Sequence, residues 1–274
     1  MCTIGVVFHG TNIHTFKQCD LIPVVDFNLP ESVAGKNGVQ SCIEMTRSSG
    51  ANKRMWAGVN SSGVAFVAAD AYTTSANYYA TDEATSKLFQ AYEDSILKHD
   101  TVVDAAASLE EFYQTMGGDG AFPAPDISML TGFADKEQTR PMAIFIEYMP
   151  RPYLHSSVRT IVRTDGFFAS TNHFRIQPEA IHYPANHSTY LRLARAEAIL
   201  QQNPTHDGIV TLLQDQYYGK CELSICRETD YIGEEYHTQA TAVFSVAPGA
   251  KPVCEYQVNG NPKSNPLQVY QEHS

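Results

Sequence analysis

A cysteine directly behind the initiator methionine, running into the β-branched stretch TIGVVF, is the first residue whose type and place could do chemistry. Methionine is normally removed ahead of a small side chain, so the mature chain is expected to begin at Cys2. Such a residue carries a thiol near pKa 8.5 and an α-amine near pKa 7.7 to 8.0, so the amine can take the thiol proton close to neutrality. Nucleophile and base then share one residue. Free cysteine is also a common small buried hydrophobe, and the surroundings must decide between the two readings.

Two other groups bear on acyl transfer. The stretch TFKQCD sets Lys17 and Asp20 three residues apart, just after the strand expected to pair with the first one. A carboxylate there can hold the α-ammonium, and a cation lowers the thiol pKa. The alternative is a solvated surface pair, which contributes little. In ASTNHF, Asn172 follows an apolar strand, where its side-chain N–H can be aimed at a developing oxyanion, a contribution of about 3 kcal/mol. Plain turn chemistry is the competing role for that asparagine. His173 has the side chain of a general base, but an N-terminal nucleophile already carries one, so a structural or pocket-lining role is expected.

The elements that must position these groups are legible from periodicity. Cys2 to Phe8 reads as a buried strand, residues 9–12 as a turn and Ile13 to Phe16 as the returning strand. Met55 to Ala69 carries a second hairpin around Asn60-Ser61-Ser62-Gly63. Helical spacing over Ala84 to Lys98 and Thr101 to Met116 predicts two helices on one sheet face. After a turn-rich stretch from Gly117 to Asp126, strands over Ile127–Phe133, Met142–Met149, Ser157–Val162 and Phe167–Ser170 should build a second sheet. Helices follow over Thr189–Gln201 and Asp207–Tyr217, then strands over Thr241–Val246 and Val253–Val258. That order predicts a layered α+β fold without the strict alternation of a parallel sheet. No linker or repeat interrupts it, so one domain over residues 1–274 is expected.

Bulk properties narrow the partner. With 274 residues, 43% of them hydrophobic and 18% charged, the chain can bury a sizeable core. A net charge of −11, with no basic run beyond Lys53-Arg54, leaves nucleic acid or anionic membrane without an electrostatic footprint. No apolar run reaches membrane-spanning length and no signal peptide is evident, so a cytoplasmic protein is expected. Six cysteines fit a reducing compartment, and the spacing of Cys221 and Cys226 lacks the second ligand pair of a zinc site.

The start MCT, the spacing to Lys17 and Asp20, the hairpin GVNSSGV and the stretch STNHF together resemble the cysteine N-terminal nucleophile (Ntn) hydrolases, the group that includes bile salt hydrolase and penicillin V acylase. The SICR stretch ending at Arg227, with TAVFSVAP and GNPKSNPL, is closer to the penicillin acyltransferase branch. The resemblance implies a four-layer αββα sandwich and cleavage or transfer at a small amide C–N bond through a thioester on Cys2. Hydrolysis and acyl transfer both remain open. It implies that Asp20 contacts the α-amine and that Asn172 serves the oxyanion hole. Lys17 stands where the hydrolases have arginine, and loses that planar fork. An oxyanion contact of the hydrolases falls near Asp70, whose carboxylate would repel an oxyanion, and their second arginine falls at Thr189, leaving Arg192 or Arg227 to replace it. Tyr72, Tyr78, Tyr79, Phe66, Phe133 and Phe174 are candidates for an acyl pocket, with core packing as the alternative; Asp70, His173 and Phe174 are candidates beside the substrate. No cofactor and no metal are required, the partner is a small-molecule amide or acyl donor, and a homo-oligomer is expected. A rival from another class is a small-molecule-binding protein on the same fold that has lost its arginines.

Overall fold

The structure is a computed structural model that describes residues 2–21, 25–49, 52–71, 82–116, 125–149, 157–177, 183–228 and 236–271. Two antiparallel sheets lie face to face with a pair of helices on each outer side. The first sheet contains β1 (Cys2–His9), β2 (Asn12–Leu21), β11 (Phe167–Ser170), β12 (His237–Val246), β13 (Val253–Val258) and β14 (Gln268–Val269), in the order β11-β1-β2-β12-β13-β14. The second contains β3 (Asp26–Phe27), β5 (Ser41–Ser49), β6 (Asn52–Asn60), β7 (Ala65–Asp70), β8 (Asp126–Phe133), β9 (Pro141–Met149) and β10 (Ser157–Arg163), in the order β10-β9-β8-β7-β6-β5-β3, with β4 (Glu31–Ala34) also paired to β5.

Three apolar clusters separate the four layers. Ile4, Val6, Ile13, Trp56, Met129, Phe145 and Phe244 are among those filling the space between the sheets. Helices α1 (Asp82–Leu97) and α2 (Val102–Met116) cover the second sheet through Leu88, Tyr92, Ala105 and Leu109. Helices α3 (Ser188–Gln202) and α4 (His206–Leu213) cover the first through Leu193, Ala196, Ile209 and Leu212, packed on Val7 and Phe16. This is the expected αββα sandwich. A sheet covered on both faces needs strands apolar on both faces, which is why β1 is a continuous apolar run. Its hairpin with β2 turns at Gly10 (φ 62°), a backbone region open to glycine. No helix among the described residues is long and apolar enough to cross a membrane.

Several expectations are corrected. Strand β2 runs on to Leu21, so Lys17 and Asp20 lie inside it; β1 and β12 pair on either side and bury these polar residues. The strands after residue 126 do not form a sheet of their own. Strand β8 pairs with β7, extending the sheet begun by β5 to β7, and only β11 crosses over to pair with β1. Strands β3, β4 and β5 lack a counterpart in the sequence reading, since two are short and half-exposed and β5 mixes charged and apolar side chains. Helix α4 stops at Leu213, four residues short of expectation. There Asp215 turns the chain by accepting from Tyr217 N (3.3 Å) and from Arg195 Nη2 (2.9 Å). Residues 117–124 of the predicted turn, and Tyr72, Tyr78 and Tyr79, lie outside the described residues.

Candidate active site

Strand alternation sorts the candidate residues onto the two faces of the first sheet. Cys2, Ile4, Val6 and Phe8 point between the sheets, as do Ile13 and Cys19, whereas Val7 and Phe16 point to the helices. Lys17 shares the face of Cys19; Asp20 shares that of Phe16. The two groups expected to act together on Cys2 therefore approach it from opposite sides of the sheet.

On the inter-sheet side, Cys2 pairs with Cys19 in register and their Sγ atoms lie 3.8 Å apart. Both cysteines are buried and free. The Lys17 ammonium is buried here too, donates to the Trp56 carbonyl (3.0 Å) and sits 5.3 Å from the Trp56 ring centroid. The Cys2 thiol is held below its ordinary pKa, first by its hydrogen bond with Cys19 and then by the charge of Lys17, against burial and the Asp70 carboxylate. Cys19 is pushed up by the same bond and by burial. These residues, with Arg47, Ala68, Phe89 and Tyr92, line a cavity of about 20 Å³, room for about one water molecule.

On the helix side, two arginines with no exposed surface meet at the first turn of α3. Arg192 donates to the Cys2 carbonyl (2.7 Å), to Thr3 Oγ1 (3.1 Å), to Asn172 Oδ1 (2.9 Å) and to Ser188 Oγ (3.3 Å). Arg227 donates to the same Ser188 Oγ (3.2 Å) and to the Glu222 carbonyl (2.6 Å), and its Nε stands 3.3 Å from Asp20 Oδ2. Thr238 completes the group: its hydroxyl donates to Asp20 Oδ1 (2.8 Å) and accepts from Arg227 N (2.9 Å). A bulge at Gln239 sets Thr238 opposite Asp20, an irregularity of the kind that re-aims side chains in sheets. Cys2 pairs with Cys19, so Asp20 lies one step further on, at the strand end that carries the Cys2 nitrogen.

Asn172 joins the two sides. Ile4 pairs with Ser170, and continuing that register puts Asn172 opposite Cys2. Its Oδ1 accepts from Cys2 N (2.8 Å) as well as from Arg192, and its Nδ2 donates to the Asp70 carbonyl (2.7 Å). One amide hydrogen is thereby engaged, leaving the second as the oxyanion donor this side chain can offer. Thr189 anchors the segment, its hydroxyl accepting from Asn172 N (3.0 Å) and lying 2.8 Å from Thr171 Oγ1 and 2.9 Å from His173 Nδ1. Three residues on, the buried Glu147 carboxylate accepts from the backbone nitrogens of Arg175, Ile176 and Gln177.

The structure thus brings Cys2, Asn172 and Arg192 into direct contact, with Lys17 on the sulfur side and Asp20 and Arg227 behind the sheet. His173 faces Thr171 and Thr189 and packs edge-on to Tyr190 (4.5 Å), and burial pushes its pKa down to about 4. Phe174 is buried among the inter-sheet residues, away from the thiol cavity. Asp70 is exposed at the end of β7 and borders both the thiol cavity and a cleft of about 700 Å³. Asn172, Ser188, His187, Tyr183, Tyr236 and Glu222 also line that cleft. Tyr72 lies outside the described residues. Sequence reasoning missed Cys19, Trp56, Ser188 and Thr238; only for Cys19 was there a signal, its even spacing from Lys17 along a continuing strand. No group of three or more His, Cys, Asp or Glu among the described residues is arranged to hold a metal ion.

Comparison with known proteins agrees with the fold. A variant of the conjugated bile acid hydrolase from Clostridium perfringens superposes with a TM-score of 0.54 at 11% identity, covering 100% of this chain and 97% of its own. The Caenorhabditis elegans ortholog of N-acylethanolamine-hydrolyzing acid amidase superposes at 0.53 with 12% identity, over 91% of this chain and 94% of that one. The chain has the Ntn-hydrolase fold. One family, described as acyl-coenzyme A:6-aminopenicillanic acid acyl-transferase, matches residues 134–258, the stretch that holds Asn172, Arg192 and Arg227. No curated protein matches in sequence.

Proposed function

We propose that this protein is an amide hydrolase or N-acyltransferase whose nucleophile is Cys2, freed by removal of Met1. The reading rests above all on one observation: Cys2 is gripped at both its nitrogen and its carbonyl, by Asn172 and Arg192, while its sulfur projects beside a buried lysine. Every buried backbone needs partners, but here they are a side-chain amide and a buried guanidinium in place of a neighbouring strand. The Cys2 thiolate attacks the acyl carbon and the second Asn172 N–H stabilises the oxyanion. The α-ammonium, formed when the amine takes the thiol proton, returns that proton to the leaving nitrogen. Asp20 stands at the correct strand end to hold the α-ammonium. Water or a second amine then resolves the thioester. The first half-reaction is common to hydrolysis and transfer, in keeping with a family match to an acyl-transferase and a structural likeness to an amidase.

The larger cleft offers the amine half of the substrate its place. It reaches Asn172, falls in the size range of small-molecule sites, and carries carboxylates at Asp70 and Glu222 with Tyr183 and Tyr236. Neutral or cationic amines suit that lining better than amines bearing a carboxylate or sulfonate. The test is intact-mass spectrometry of the purified protein incubated with acyl amides and activated acyl donors. Loss of Met1 followed by an acyl adduct on the Cys2 peptide, released by water or an added amine, is the expected result. A processed protein that never acylates at Cys2 with any donor would instead support the rival, a binding protein on the same scaffold.

A further inference from the structure

The Lys17 ammonium near the nucleophile gives a hydrogen bond to the Trp56 carbonyl, so toward Cys2 it supplies charge at a distance. The polar group in contact with the Cys2 sulfur is the Cys19 thiol, 3.8 Å away and directly opposite in the β1–β2 register. Both thiols are buried; Cys19 is paired to β12 as well as to β1, and the Cys2 backbone is held by Asn172 and Arg192. A buried thiolate is costly without donors, and a thiol is a weak donor toward neutral groups but a much better one toward an anion. Two neutral thiols in van der Waals contact would gain little from this arrangement; a thiolate beside a thiol gains a charge-assisted bond.

We propose that Cys19 is a positioning residue for the nucleophile: its S–H donates to the Cys2 thiolate, so that the pair shares one proton, resident on Cys19. This rests on Cys2 being the nucleophile, but it concerns ionisation and not turnover. The shifts of the two thiols, Cys2 down and Cys19 up, run in the direction the geometry requires. The bond also aims the sulfur, because a donor fixed across the ladder holds one lone pair and leaves the others for the acyl carbon. Once the thioester forms the sulfur loses its charge and the bond weakens, so Cys19 favours the free thiolate over the acylated state.

The test is the pH dependence of iodoacetamide alkylation at Cys2, read by peptide mass on processed wild type, Cys19→Ala and Cys19→Ser, with thermal melts confirming that each is folded. Losing a hydrogen bond to a charged group should raise the apparent Cys2 pKa by about one unit or more, a roughly tenfold slower reaction on the acidic side of the profile. Cys19→Ser retains a donor and should recover most of the loss. Superimposable profiles for wild type and Cys19→Ala would overturn the proposal, as would equal shifts in the alanine and serine variants, which would point to cavity effects. Wild type itself gives a check without substitution, since Cys2 must alkylate at lower pH than Cys19; the reverse order overturns the assignment. Failure of every acyl donor to label Cys2 would leave these profiles intact, so the two proposals fail separately.

Discussion

Replacing Asp20 by asparagine keeps the shape of the side chain, and its bond with Thr238 can survive, but it removes the carboxylate charge 3.3 Å from Arg227 Nε. At that separation the attraction amounts to about 5 kcal/mol for an effective dielectric constant of about 20. Relief of the carboxylate's own desolvation offsets part of this, and breaking one side of a buried pair typically costs about 3–5 kcal/mol. For a chain of this size each kcal/mol corresponds to about 2–4 °C, so Asp20→Asn should melt roughly 6–20 °C lower. The measurement is thermal melting by circular dichroism with urea denaturation alongside, on Asp20→Asn, Arg227→Met and the double variant. A coupling energy of at least about 2 kcal/mol is expected between the two positions. A melting temperature within about 2 °C of wild type, or a coupling below about 0.5 kcal/mol, would refute the buried pair and with it the account of how Asp20 is held behind the sheet.

Other predictions concern chemistry and pH. Cys2→Ser should fold with an unchanged melting temperature and lose nearly all turnover; full activity in that variant would exclude the nucleophile. Asp70→Asn should improve kcat/KM for amides whose amine carries a negative charge, relative to neutral ones, and an unchanged ratio would remove Asp70 from substrate selection. Burial pushes the Glu147 carboxyl up to about 7 from its usual value near 4.5, against the three backbone donors it accepts from. A carboxyl whose folded pKa is raised favours the folded state while protonated. Its contribution is complete below about pH 4.5 and is lost as pH rises through about 7. Glu147→Gln should therefore flatten the decline in stability over that interval, measured by urea midpoints at successive pH values, and an equally steep decline would refute the assignment.

The layered α+β architecture was legible because α2 keeps the helical period over a long run and β1 is an unbroken apolar, β-branched stretch. Sheet membership was not, since nothing local in Phe167–Ser170 tells that this strand leaves its predecessors and returns to the N-terminus. Cys2 and Asn172 stood out from position and neighbours. Lys17 and Asp20 stood out as a pair, but their opposite directions were hidden: a run of Lys, Gln and Asp looks like a chain leaving a sheet, and only the flanking strands β1 and β12 keep it inside. Arg192 and Arg227 were left as alternatives because they lie far apart in sequence, and the Ser188 hydroxyl that serves both is visible only in three dimensions.

Strand β2 feeds the sulfur chamber from odd-numbered positions and the arginine layer from even-numbered ones. Removing a single residue between Ile13 and Phe16 while the outer end stays paired would leave the hairpin one step out of phase. Closing it in the old alignment would turn Lys17 and Cys19 toward the helices and Gln18 and Asp20 toward Trp56. Sequence drift across this stretch is consequently confined by parity, with point substitutions or two-residue changes admissible where one-residue indels are not.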